Sequence, residues 1–115
     1  MAAAGGVSHE EAGTLDIRDV ASPSGHTVVL DGELDIRTAG ELQPLVVRLC
    51  ADGARHVALD LSRLRFIDST GLQAILSAHS VCRDHGTGFM LTSPQETVRR
   101  VFEITGMLDV LPFGA

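Results

Sequence analysis

Between His56 and Arg83 the spacing of the apolar residues changes once, from two to three and four. Val57, Leu59 and Leu61 alternate with other residues, the period of a strand, and the run continues through "LRFID". Leu72, Ile75, Leu76 and the position of His79 then fall on one helical stripe, which predicts a helix from Thr70 to about Arg83. A strand feeding straight into a helix is the unit from which mixed or parallel sheets are built. The junction, "FIDSTGLQAIL" (Phe66 to Leu76), holds an acid, two hydroxyls and a glycine: Asp68, Ser69, Thr70 and Gly71.

The flanking segments extend the pattern. "TLDIRDV" from Thr14 and a strand over Thr27 to Leu34 are separated by the turn-like "SPSG" (Ser22 to Gly25), which predicts an antiparallel hairpin, with Gly32 a bulge or turn point. "TAGE" has the spacing of a capping box, Glu41 three residues after Thr38, and Leu42, Leu45, Val46 and Leu49 form the stripe of a helix ended by "ADG". Pro44 should kink that helix or delay its regular start. "FMLT" (Phe89 to Thr92) reads as a short buried strand. "SPQE" (Ser93 to Glu96) reads as a helix start with Ser93 as cap and Pro94 first in the helix, Gly106 as a stop, and "MLDVLPF" as a short final edge strand. The order is β-β-α-β-α-β-α, with a final β expected: one α/β domain whose small mixed sheet has an antiparallel first hairpin and otherwise parallel strands, packed with three to four helices. Residues 1–13 are expected to be a disordered tail and residues 14–115 the domain.

Composition removes whole classes of function. The net charge of −6 opposes binding to nucleic acid and anionic membrane, and the absence of Trp and Tyr leaves no stacking platform for single-stranded nucleic acid. All 9 basic residues are Arg, which removes P-loop, Schiff-base and general-base lysines. Cys50 and Cys82 form no CxxC pair and read as reduced core thiols of a cytoplasmic protein. No signal peptide and no apolar run long enough to span a bilayer is present. "HSVCRDH" spaces His79, Cys82 and His85 like metal ligands, but lacks a fourth, so no metal and no cofactor are expected. Arg99 and Arg100 read as a solvated helix face.

Three readings compete at the junction. In the first, Thr70 with Gln73, or Ser69 in its place, simply caps the helix, contributing about 1 kcal/mol. That leaves the second hydroxyl and the glycine in the first turn unexplained. In the second, Ser69 is a nucleophile. It would need a base, which no histidine spacing demands, and the context is not Gly-x-Ser-x-Gly. In the third, Ser69 is a phosphorylation site. It need only be exposed at a helix N-terminus, where a phosphate of about −1.5 to −2 charges meets free N–H groups and a favourable dipole end.

These residues resemble the anti-sigma factor antagonists, within the wider STAS domains. The likeness runs from Thr14 to about Phe113, carried by "DGELD" (Asp31 to Asp35), "HVALDLSRLRFIDSTGLQAIL" (His56 to Leu76) and "TSPQETVRRVFEITGM" (Thr92 to Met107). The resemblance implies a non-enzymatic protein–protein switch. The unphosphorylated antagonist binds an anti-sigma factor serine kinase of the histidine-kinase-like ATPase fold and frees the sigma factor. Phosphorylation then ends binding, and a PP2C-type phosphatase resets it. It implies Ser69 as the phosphorylated residue, and Asp68, Thr70, Gly71, Leu72 and Asp35 as the partner-binding residues. A monomer is the default expectation, with the oligomeric state left open by the sequence. The rivals are a STAS scaffold subunit of a signalling assembly and a nucleotide-binding STAS signalling module. The chain shows no Gly-rich phosphate loop with a basic residue to support the latter.

Overall fold

A computed structural model describes residues 14–114; the N-terminal tail expected over residues 1–13 lies outside the described residues. Four strands, β1 (Leu15–Ser22), β2 (Gly25–Leu34), β3 (His56–Ile67) and β4 (Gly88–Thr92), form one sheet in the order β1-β2-β3-β4. Three helices, α1 (Leu42–Ala51), α2 (Ser69–Asp84) and α3 (Glu96–Ile104), join or follow them, with 3₁₀ turns at Ala39–Glu41 and Met107–Asp109. β1 and β2 pair antiparallel across the Pro23-Ser24 turn, whereas β2–β3 and β3–β4 pair parallel because a helix separates each pair. The mixed sheet expected from the periodicities is the sheet observed.

Alternation places Val28, Leu30 and Leu34 of β2 and Val57, Leu59 and Leu61 of β3 on the buried face. Leu42, Val46 and Leu49 of α1, Leu72 and Ile75 of α2, and Val98 and Phe102 of α3 complete the same core. With so few aromatic residues the core is aliphatic apart from Phe89 and Phe102, the latter set edge-to-face on Phe113 at 5.2 Å. The β2–β3 register shifts twice, between Val29 and Asp31 and between Gly32 and Glu33, each time with one extra residue on β3. Gly32 itself has φ +128°, and a Cβ there would lie 2.4 Å from the Thr14 carbonyl oxygen, so the position takes only glycine. Across these shifts β3 buries every third residue, Leu61, Leu64 and Ile67, instead of every second.

Helix starts depart from the predicted caps. Thr38 does not cap: its hydroxyl turns back to donate to the Glu33 carbonyl at 2.7 Å, and regular helix begins only at Leu42, which leaves Pro44 in the first turn where it has no N–H bond to lose. Ser93 does not cap α3 either. It sits at φ +57°, turning the chain so that the helix starts at Glu96, while the Gln95 amide reaches the Ser62 carbonyl at 2.8 Å. Gly106, at φ +77°, does end α3. The expected last strand is reduced to a parallel bridge between Leu91 and Phe113: Leu91 donates to the Pro112 carbonyl at 2.9 Å and Gly114 to the Leu91 carbonyl at 2.8 Å. Those two bonds cover the outer edge of β4.

Candidate functional site

The parallel register sets the ends of β2 and β3 side by side, Leu34 against Ile67. Both chains leave the sheet there, β2 into the loop Asp35–Thr38 and β3 into α2. The Asp68 N–H donates to the Leu34 carbonyl at 3.3 Å, a backbone bond that continues the pairing just past the end of β3.

Asp68, not Ser69 or Thr70, is the cap of α2. Its backbone is extended, and its carboxylate Oδ1 accepts from the Gly71 N–H at 2.9 Å while its carbonyl accepts the first helical bond from Leu72 at 2.9 Å. The other carboxylate oxygen, Oδ2, accepts from the Ile36 N–H at 3.3 Å. One side chain thus closes the helix end and ties the β2 loop to it. Asp68→Ala is therefore expected to lower stability by about 1 to 2 kcal/mol, the upper end of a cap's contribution, because a loop contact goes with it. Asp68→Asn, whose one oxygen can keep only one of the two bonds, should fall between; denaturant titration of the three proteins checks the order.

With the cap supplied by Asp68, both hydroxyls are spare. Ser69 is the first residue of α2 and exposed, and Thr70 is half-buried. Among the described residues, neither hydroxyl has a hydrogen-bond partner. Gly71 is buried, and its place is dictated by packing: a Cβ there would lie 2.3 Å from the Leu34 carbonyl oxygen and 2.8 Å from Ile67 Cγ1. Leu72, 7% exposed, anchors the first turn in the core.

Asp35 is buried in the facing loop. Its Oδ1 accepts from the backbone N–H groups of Arg37 at 2.9 Å and Thr38 at 3.2 Å, and its Oδ2 lies 3.5 Å from the exposed Arg37 guanidinium. Burial alone would raise the carboxyl. The Arg37 N–H, the Arg37 charge and the Thr38 N–H outweigh it and hold the carboxyl below its ordinary value of 3.8. A carboxyl lowered in the folded state stabilises fully above its unfolded value and loses that contribution as pH falls through the folded one. Asp35→Asn should therefore lower the melting temperature at pH 7, and the gap to wild type should narrow only below about pH 3.8. Melting curves at both pH values read this directly.

The loop also presents a residue that the sequence reading passed over. Ile36 is 75% exposed beside the Asp68 carboxylate, and Phe66, two residues before Asp68, is 48% exposed. The signal was an isoleucine between Asp35 and Arg37 in a non-periodic segment. Of the residues singled out in sequence, Asp68, Ser69, Thr70, Gly71, Leu72 and Asp35 converge on this one end of the sheet. His79, Cys82 and His85 point to separate partners: His79 stacks on Phe89 at 5.2 Å, His85 Nδ1 contacts the Val81 carbonyl at 3.0 Å, and Cys82 meets Cys50. Among the described residues no helix is long and apolar enough to cross a membrane.

Comparison with known proteins matches residues 18–115 to the family model of the STAS domain. An anti-sigma-B factor antagonist from Staphylococcus epidermidis is 27% identical over 97 residues, 84% of this chain and 90% of the relative. In structure, an anti-sigma factor antagonist from Mycobacterium paratuberculosis superposes with a TM-score of 0.77 at 24% identity, covering 87% of this chain and 85% of the other. The phosphorylated form of the Bacillus cell fate determinant SpoIIAA superposes with a TM-score of 0.65 at 20% identity, covering 89% and 92% of the two chains. At these identities the two structural likenesses are of fold.

Proposed function

We propose that this chain, which belongs to the STAS domain family, is a cytoplasmic anti-sigma factor antagonist of a bacterial partner-switching system, with Ser69 as the switch. The observation that carries the reading is the division of labour at the start of α2. Asp68 makes the cap, so the exposed Ser69 hydroxyl has no structural bond to lose on modification. A phosphate on Ser69 sits at the positive end of a 16-residue helix, so the fold tolerates it. The outer surface changes instead, from neutral to strongly acidic.

In this reading the unphosphorylated chain docks on an anti-sigma factor serine kinase of the histidine-kinase-like ATPase fold, releasing the sigma factor. ATP-dependent phosphorylation of Ser69 ends the contact, and a PP2C-type phosphatase restores it. Thr70 meets the partner beside Ser69. Asp68, Gly71, Leu72 and Asp35 hold the surface in shape from beneath, and Ile36 adds an apolar contact. The chain contributes an acceptor hydroxyl and no catalytic group, so it is a substrate and ligand of enzymes, not an enzyme. The relatives named anti-sigma-B factor antagonists support this reading over a STAS scaffold or a nucleotide-binding module.

The test is a pull-down from the native host with wild-type, Ser69→Ala and Ser69→Asp baits, read by mass spectrometry. A small ATPase-type kinase held by the first two and lost from the third supports the switch. The same large STAS-containing assembly held by all three would overturn it in favour of the scaffold.

A further inference from the structure

Cys50 and Cys82 are 32 positions apart in sequence, and their sulfurs lie 3.6 Å apart. Cys50 is in the last turn of α1 and Cys82 near the end of α2, so the contact joins the C-terminal ends of two packed helices, at the opposite end of α2 from Ser69. Both are free thiols. Simple core filling would need only small apolar groups at these positions. Here the Cys50 thiol donates to the Cys82 sulfur, so each sulfur already faces the atom it would bond. Closing from this contact to a bond of about 2.05 Å is a shift of the size a side-chain rotation supplies.

We propose that Cys50 and Cys82 form a disulfide site that clasps α1 to α2 when the chain meets a low-molecular-weight disulfide. Cys50 loses its proton and its sulfur attacks one sulfur of the small disulfide, breaking that S–S bond and expelling one thiolate. Cys82 then loses its proton and its sulfur attacks Cys50 in the mixed disulfide, expelling the second thiolate. The two protons end on the two released small thiols. The cysteines give up two electrons and the small disulfide takes them. Cys50 goes first because it lies at a helix end followed by the exposed Asp52-Gly53 turn, where local opening brings it to solvent. Cys82 is fully buried; burial and then the bond from Cys50 push its thiol up to about 12, so it reacts only inside the pair. The clasp is independent of any role for Ser69.

The whole reduced chain is incubated with oxidised glutathione under native conditions, acid-quenched, alkylated and weighed intact. Wild type should carry neither glutathione nor alkyl group, stay monomeric on a non-reducing gel, and melt several degrees above its reduced form. A tryptic digest should join the peptide holding Cys50 to the one holding Cys82. Cys82→Ala should stop at one glutathione adduct, and Cys50→Ala should react at least about tenfold more slowly than wild type. Should the variants fold poorly, the wild-type mass and digest decide alone. Two alkylatable thiols surviving in the native chain while the urea-unfolded chain oxidises would overturn the site, as would cross-links only between chains.

Discussion

Ser69→Asp should bind the purified anti-sigma factor kinase about 100-fold more weakly than wild type, a loss of ~3 kcal/mol, while Ser69→Ala binds like wild type. The alanine removes a hydroxyl that bonds to nothing among the described residues, so neither fold nor docking surface loses a partner. The aspartate places one full charge beside the Asp68 carboxylate, on a surface that is otherwise apolar or neutral at Ile36 and Thr70. A partner closing over it must desolvate that charge without pairing it. The same charge favours the free protein, because an anion in the first turn of a helix gains about 0.3 to 1 kcal/mol from the helix dipole. The expected signature is therefore a protein that melts no lower than wild type and has lost its partner. Titration calorimetry and thermal melts on the three proteins measure both halves. Equal affinity for Ala and Asp variants would remove Ser69 as the switch, and loss of binding with loss of fold would reduce it to a structural residue.

The second large effect lies two residues on. Gly71→Ala should destabilise the protein by about 2 to 3 kcal/mol, lowering its melting temperature by roughly 10 to 20 °C. The sign is opposite to what helix propensity dictates, since alanine is favoured over glycine by about 1 kcal/mol in a helix interior. The methyl group would meet the Leu34 carbonyl oxygen at 2.3 Å and Ile67 Cγ1 at 2.8 Å. The first of these is backbone, held by the adjacent β2–β3 pairing, and cannot swing aside as a side chain can. Relief requires α2 to lift from the end of β2, which strains the bond from Asp68 to Leu34 and the bond from Ile36 to the Asp68 carboxylate. The same displacement moves Ser69, so partner binding should weaken together with stability. A melt at or above the wild-type temperature would show that the helix start has more room than these distances leave.

The alternation in β2 and β3 and the stripes of α1 and α2 were legible because burial on one face imposes a period, and a period survives in sequence. The pairing of β1 with β2 was legible because only a two-residue turn separates them. The caps were not. Thr38, Ser93 and the Ser69-Thr70 pair all have capping chemistry in the right order, and none of them caps. A hydroxyl caps only if its own backbone stands at the helix threshold. That threshold was set by contacts that residue order does not show: the Thr38 hydroxyl turned back to the Glu33 carbonyl, and at the start of α3 the positive φ of Ser93 turned the chain and the Gln95 amide reached Ser62, 33 positions away.

Sequence alone determined that an acid, two hydroxyls and a glycine would stand where a strand becomes a helix, since the change of period occurs at Asp68 whatever surrounds it. Only the tertiary structure decided what each of them does. The parallel register of β2 and β3 brought Leu34 and Ile36 against the start of α2. That neighbour confined position 71 to glycine and drew one carboxylate oxygen of Asp68 to Ile36 while the other capped the helix, which left the Ser69 hydroxyl free on the surface. The packing of α1 on α2 likewise set Cys50 against Cys82, across 32 positions of sequence that carry no sign of the contact. Periodicity records which face a residue turns to the core. Which distant atom it meets there depends on how the elements pack.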